Sequence, residues 1–428
     1  MSLNSPWEVH SGGWGTASSG LIALSVSVLN VKQAASAVRL RRGDVVAVAL
    51  PPGEAWAEIA AVAWAAEAAL LPVDHRLPEP AARDLLARGE PTAILSDDGL
   101  RRLSAGRPAD PAVALVIPTS GSSGRPRLVE LSRTAVEAAV GSSLRALAAG
   151  AGDGWVSCLP LAHIGGLLVL LRALLGGAPL IFRSAGELDP SGGYPFISIV
   201  PTQLARALDA GVDLGGYRAM VVGGGGMERA LEERAAESGA RCVVTYGLTQ
   251  SCGGVVYDGL PLPGVGVRVT GGGEVQLGGP TLLSGYRDGD GDGLTADGWL
   301  PTGDAGWLDD GGRLHLQGRL DDLIVTGGEN VWPGEVEAAL RSHPAVADCA
   351  VFGRPDATWG QRVVAAVVPR NPAAPPTLEE LRDHVGAVMG RHRAPRELVI
   401  VEELKRTALG KLRREELADG SGSGEAPG

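Results

Sequence analysis

The stretch Pro118-Thr119-Ser120-Gly121-Ser122-Ser123-Gly124-Arg125-Pro126-Arg127 gathers four hydroxyl side chains, two glycines and two arginines directly behind an apolar run. Backbone N–H groups, hydroxyl donors and guanidinium forks are the groups that bind a phosphate chain. The kinase pattern GxxxxGK[ST] is absent, and the apolar segment 128–131 that follows predicts extended chain in place of a helix. Val244-Thr245-Tyr246-Gly247-Leu248-Thr249-Gln250 leaves a second predicted strand and sets an aromatic ring beside a glycine and a hydroxyl, able to stack a base and contact a phosphate. Pro301-Thr302-Gly303-Asp304 places a carboxylate among turn residues, where it can accept two hydrogen bonds from a ribose diol. The runs Gly318-Arg319-Leu320-Asp321-Asp322 and Thr407-Ala408-Leu409-Gly410-Lys411 add charge near the C-terminus. Taken singly, each has an ordinary explanation as a surface turn, a strand end, a solvated loop or a basic tail.

These pieces need a framework. Behind Gly43 the order is a strand over 45–50, an Ala-rich helix over about 55–70 and a strand over 71–74, an alternation that predicts β-α-β units and mostly parallel sheets. Further strands fit 112–117, 196–200, 219–222 and 241–244. Ser132 can cap a helix whose apolar residues Val136, Val140, Leu144 and Leu147 keep a 3.6-residue period. Beyond Gly318 the pattern changes: a strand over 323–326, a helix opening at Pro333, strands over 346–352 and 363–368, and a capping-box pair Thr377/Glu380. The expected fold is α/β, with a large multi-part α/β N-terminal body (1–320) and a small mobile α+β C-terminal domain (321–428). The charged run 319–322 marks the boundary.

Composition narrows the class. With 45% hydrophobic and 20% charged residues in 428, the chain can build a sizeable core and is not broadly disordered. A net charge of −11 is the wrong sign for a nucleic-acid backbone or an anionic membrane surface, while leaving room for an anion held by local donors. Cys158, Cys242, Cys252 and Cys349 form no CxxC pair and no Cys/His cluster, which predicts reduced thiols. Neither a long apolar run nor a signal-like start is present, so a cytoplasmic protein without a membrane span is expected. Lysine is rare: Lys32, Lys405 and Lys411 stand among 38 basic residues.

Joint occurrence changes the weight of the motifs. TSGSSGRPR, YGLTQ, PTGD, GRLDDLIVTGGENVWPGEVE and RTALGKLRR, in that order over 118–414, resemble the adenylate-forming superfamily of acyl-CoA synthetases, peptide-synthetase adenylation domains and luciferases. The resemblance implies ATP-dependent activation of a carboxylate to an acyl-adenylate with release of pyrophosphate, then transfer to coenzyme A. It further implies ATP, Mg²⁺ and coenzyme A as cofactors. Thr119, Ser120, Gly121, Ser122, Ser123, Gly124 and Arg127 would hold the β- and γ-phosphates, Tyr246 would stack on adenine, and Thr249 would contact the α-phosphate. Asp304 and Arg319 would hold the ribose, Lys411 would be the catalytic lysine bridging carboxylate and adenylate, Asp321 would be the hinge, and Gly328 would line the pantetheine tunnel. Two departures stand out: Arg127 where the family commonly has lysine, and Gln250 where a glutamate usually helps to bind Mg²⁺, a hard cation for which an amide is the weaker ligand.

For the acid, WVSCLPLAHIGGL, IVPTQL and GGGG are most like the o-succinylbenzoate-CoA ligases of menaquinone biosynthesis. That likeness places His163, Gly223 and Gly224 at the substrate pocket. An aryl- or medium-chain acyl-CoA synthetase, or a non-catalytic adenylate-binding relative suggested by Gln250, are the alternatives. The expected partners are a small-molecule carboxylic acid, ATP and coenzyme A, with no nucleic acid; a homodimer stays open.

Overall fold

The computed structural model of the protein describes residues 40–119, 126–190, 192–289, 291, 293–406, 412, 414 and 417. Two seven-stranded sheets make up most of the body. In the first, the order is Gly285–Tyr286, Leu128–Ser132, Val113–Pro118, Ala69–Pro72, Val45–Val48, Ala93–Ser96 and Gly99–Arg102. In the second it is Leu260–Pro261, Gly253–Tyr257, Cys242–Leu248, Ala219–Val222, Phe196–Ile199, Trp155–Ser157 and Leu180–Phe182. The interior strands run parallel, as expected from the β-α-β reading; antiparallel strands close both edges of the first sheet and one edge of the second, whose other edge, Leu180–Phe182, is parallel. Val45–Val48 is buried at every position, the pattern of a parallel strand covered on both faces.

Local chemistry sets the element ends. Ser132 Oγ accepts the Ala135 N–H and opens the helix Arg133–Ala146, whose Val136 and Val140 are buried. The helix Ile164–Gly176 is apolar nearly all round and correspondingly buried, and it stops at Gly177 in the left-handed region. The Ala-rich helix spans Glu54–Ala65 and stops short of residue 70, because Ala69–Pro72 is drawn into the sheet beside Val45–Val48.

By contacts, the chain divides into Met1–Val267 with Gln276–Pro301, and Arg268–Val275 with Thr302–Gly428. The second unit therefore gathers residues 302–320 with the C-terminal segment. There, Leu300–Leu308 pairs antiparallel with Leu314–Arg319 in a four-stranded sheet that the sequence pattern did not announce. A five-stranded sheet of Ile324–Thr326, Glu329–Val331, Val346–Asp356, Gly360–Pro369 and Glu397–Ile400 packs with the helices Pro333–Arg341 and Leu378–Met389 around Val336, Leu340, Val351, Val363 and Leu381. The Thr377/Glu380 capping box opens the latter helix. Among the described residues, no helix is long and apolar enough to cross a membrane.

Candidate nucleotide and acid site

The serine- and glycine-rich segment joins two antiparallel strands, Val113–Pro118 and Leu128–Ser132, so the extended chain expected beyond it is present. Thr119 closes its base: the Thr119 N–H donates to the Arg127 carbonyl at 2.8 Å, and the Arg127 N–H donates back to Thr119 Oγ1 at 2.9 Å. Ser120, Gly121, Ser122, Ser123 and Gly124 lie outside the described residues. Arg127 is exposed and lies over the Tyr286 ring, 3.3 Å from its centroid. The Tyr286 hydroxyl in turn accepts from Gln250 Nε2 at 3.3 Å. Both departures from the family pattern therefore meet on one tyrosine. Sequence reasoning missed Tyr286, since its place at the sheet edge comes from pairing with Val129, far away in the chain.

Tyr246 stands on Cys242–Leu248, which runs into the 3₁₀ turn Thr249–Ser251. Gly247 has a packing reason to be glycine: a Cβ there would collide with the Gly253 carbonyl of the paired strand. The glycine turn sits beside this strand as well. A side chain at Gly223 would meet Thr245 Oγ1 at 2.6 Å, and Gly224, with φ +79°, faces Val200 of the IVPTQL segment. Thr119, Arg127, Gly223, Gly224, Tyr246, Thr249 and Gln250 are thus tied into one neighbourhood of the first unit. His163 precedes the helix Ile164–Gly176, and burial pushes its pKa down, with Asp74 opposing and Arg76 adding to that shift. At neutral pH it is a neutral imidazole. Asp74 itself is held at about 2 by the Arg76 guanidinium.

In the second unit, Asp304 and Arg319 are cross-strand partners. Arg319 Nη1 donates to Asp304 Oδ1 at 3.1 Å and to the Thr302 carbonyl at 2.7 Å. Its Nε is buried and has no partner among the described residues. Thr302 was not singled out from the sequence, yet its hydroxyl donates to the Val275 carbonyl at 2.6 Å and accepts the Asp304 N–H at 3.1 Å. Asp321 stands in the 3₁₀ turn Leu320–Asp322 with its side chain 83% exposed. Gly327 and Gly328 form a two-residue turn between paired strands with φ +59° and +84°, which demands glycine on conformational grounds; the space around Gly328 is open. Lys411 lies outside the described residues.

Other chemistries fare poorly. Burial raises the thiols of Cys158 and Cys252 to about 12, unsuited to nucleophilic work. Among the described residues no cluster of three or more His, Cys, Asp or Glu side chains could hold a metal.

Residues 102–286 match the model for AMP-binding enzymes, and residues 335–411 match that for the AMP-binding enzyme C-terminal domain. A probable 2-succinylbenzoate–CoA ligase of Mycobacterium tuberculosis is 39% identical over 356 residues, 78% of this chain and 92% of that protein. The chain belongs to the AMP-binding enzyme family. A 2-succinylbenzoate–CoA ligase of Bacillus cereus is 34% identical over 335 residues, 71% of this chain and 69% of its own length. The fold of this AMP-binding enzyme is that of the o-succinylbenzoate CoA synthetase of Bacillus subtilis solved with the acyl-adenylate intermediate OSB-AMP, with a TM-score of 0.81, 24% identity, and 92% and 93% of the two chains covered.

Proposed function

We propose that this AMP-binding enzyme is an ATP-dependent, AMP-forming acid–coenzyme A ligase of the cytoplasm that acts on 2-succinylbenzoate. The observation that carries the nucleotide reading is the Asp304–Arg319 pair: a carboxylate and a guanidinium held side by side across two paired strands. A polyhydroxylated, anionic ligand such as the ribose end of ATP uses both groups. The substrate reading is supported by the relatives at 39% and 34% identity.

In the first step a carboxylate oxygen of the acid attacks the α-phosphorus in line, the bond to the β-phosphate oxygen breaks, and pyrophosphate departs. Catalysis of this kind needs positioned positive charge and donors at the pentacoordinate centre and no covalent nucleophile. Thr119, Ser120, Gly121, Ser122, Ser123, Gly124 and Arg127 bind the departing phosphates, Thr249 contacts the α-phosphate, Tyr246 stacks on adenine, and Lys411 bridges the carboxylate and the α-phosphate. Its compact ammonium suits that bridging better than a planar fork. Neutral His163, at the pocket with Gly223 and Gly224, orients the acid without neutralising its carboxylate. In the second step the coenzyme A thiol, losing its proton, attacks the acyl carbonyl and AMP leaves. The C-terminal domain, residues 321–428, turns about Asp321 between the steps to bring Gly328 to the pantetheine arm.

Mg²⁺ carried on the triphosphate would be met from the protein side by Gln250 and would supply charge neutralisation to the departing pyrophosphate. Exchange of labelled pyrophosphate into ATP, measured with 2-succinylbenzoate, benzoates and fatty acids in turn, tests the reading. Exchange with 2-succinylbenzoate and formation of its coenzyme A ester are expected. Preference for benzoates or fatty acids reassigns the substrate, and silence with every acid leaves an adenylate binder. Sedimentation of the same sample reads whether it is a homodimer.

A further inference from the structure

Arg127 has an exposed side chain on a main chain that is bonded at every polar group from the Pro126 carbonyl to the Leu128 carbonyl. The Pro126 carbonyl accepts Arg88 Nη1 at 2.7 Å. Thr119 holds both main-chain groups of Arg127. The Leu128 N–H donates to Asp288 Oδ1 at 2.9 Å, and the Leu128 carbonyl accepts the Arg287 N–H at 2.8 Å. Asp288 Oδ2 also accepts Arg88 Nη1, at 2.6 Å, so one guanidinium and one carboxylate close around the backbone on both sides of Arg127. Their side chains are 13% and 11% exposed.

Both halves of this clamp are fixed from distant parts of the first unit. Arg88 stands in the last turn of the helix Glu79–Gly89 and also donates to Asp84, one turn back, at 2.9 Å. Arg287 and Asp288 follow Tyr286, which pairs with Val129. The Arg287 side chain, 0% exposed, donates to the Gly89 carbonyl at 2.6 Å, where a cation meets the negative end of the same helix. At the start of this segment the Leu283 N–H donates to the Gln250 carbonyl at 2.8 Å. Residues 283–288 are therefore bonded at one end to the turn Thr249–Ser251 and at the other to the main chain beside Arg127. Water alone satisfies the amides of most exposed loops, and an ion pair taken out of water is costly before its attraction is counted. What this pair secures is the place from which Arg127 reaches outward.

On the reading above that Arg127 holds the β- and γ-phosphates and Thr249 the α-phosphate, we infer that Asp288, with Arg88, is a positioning residue: it fixes the root of Arg127 at a set distance from Thr249. The clamp then matters to ATP, which carries the two outer phosphates, and not to AMP, which lacks them. Gly289 serves the same end. A Cβ there would stand 3.0 Å from Arg127 Nη2, so any side chain at 289 would push the guanidinium from its place.

The experiment uses the full chain with Asp288→Ala, Gly289→Ala, Arg127→Met and the double variant of Asp288→Ala with Arg127→Met. Titration calorimetry with ATP and magnesium, and separately with AMP, reads the two affinities. Asp288→Ala is expected to raise Kd for ATP roughly 5- to 10-fold, with Kd for AMP within about twofold of wild type. Gly289→Ala, which is exposed and changes no charge, should raise Kd for ATP a few-fold, and it carries the test if Asp288→Ala does not fold. Because Asp288 acts through Arg127, the double variant should lie within about twofold of Arg127→Met alone. A purely structural role would multiply the two losses. Such a product, an equal loss for AMP, or unchanged affinity for ATP overturns the inference. If Arg127→Met weakens ATP while Asp288→Ala and Gly289→Ala do not, this inference fails alone; if Arg127→Met leaves ATP binding intact, or the wild type binds no ATP, the assignment of Arg127 fails first and the inference with it.

Discussion

Arg127 and Arg319 are assigned to the same ligand and are held in opposite ways. Arg319 is tied by Asp304 and the Thr302 carbonyl on a paired strand, with Gly303 so close that a Cβ there would meet its Nη2 at 2.8 Å. Arg127 is exposed and rests on the face of Tyr286, whose hydroxyl is held by Gln250. A guanidinium locked by a carboxylate is ordered before the ligand arrives, and its charge is partly neutralised by its partner. A guanidinium on an aromatic face keeps its full charge for the ligand and can slide. The contrast fits the proposed tasks, since a ribose occupies one fixed place whereas pyrophosphate must be held and then released.

Arg319→Met should produce the largest change. Loss of charge-assisted hydrogen bonds, with Asp304 left exposed to the nucleotide, is expected to lower kcat/KM for ATP by about 1.5–3 kcal/mol, roughly 10- to 150-fold. Steady-state kinetics with ATP varied checks this, and a change under threefold would remove the distinction between the two arginines. Gln250→Glu should act next, and in the direction of gain: a carboxylate in place of the amide is expected to lower the Mg²⁺ concentration for half-maximal exchange roughly tenfold, about 1.4 kcal/mol. Titration with Mg²⁺ at fixed ATP reads it, and no shift would mean that residue 250 does not face the metal. Arg127→Lys should be the mildest, about 0.5–1 kcal/mol or two- to fivefold in KM for ATP, because an ammonium keeps the charge and loses part of the stacking on Tyr286. A loss as large as that at Arg319 would show that Arg127, too, needs its fixed fork.

Local signals in the sequence went far. Ser132 and the Thr377/Glu380 pair mark helix starts through hydrogen bonds within a single turn, Pro333 marks one by its fixed φ in the first turn, and all three stand where they were expected. The loop base at Thr119 and Arg127 was legible because an apolar strand stands on each side. Long-range pairing was not legible. The apolar run after Glu67 suits a helix or a buried strand equally by period, and its partner Val45–Val48 decided for the strand. Tyr286 reaches the site by pairing with Val129, and Asp288 reaches Leu128 across 160 residues, so neither announces itself in a local pattern. The ribose-binding roles of Asp304 and Arg319 were named from resemblance, while their pairing across two strands required the coordinates.

The reciprocal bonds between Thr119 and Arg127 have a practical consequence for design. Both are main-chain or threonine-hydroxyl contacts at the mouth of the loop, and the strands behind them stay in register from Pro118 and Leu128 back to Leu115 and Leu131. The residues between them can therefore be varied as a cassette, in length and in polarity, with the flanking sheet acting as an insulated frame. Libraries built between positions 119 and 127 offer a route to an altered grip on the triphosphate and altered release of pyrophosphate, in which losses of function report on the cassette and not on collapse of the scaffold.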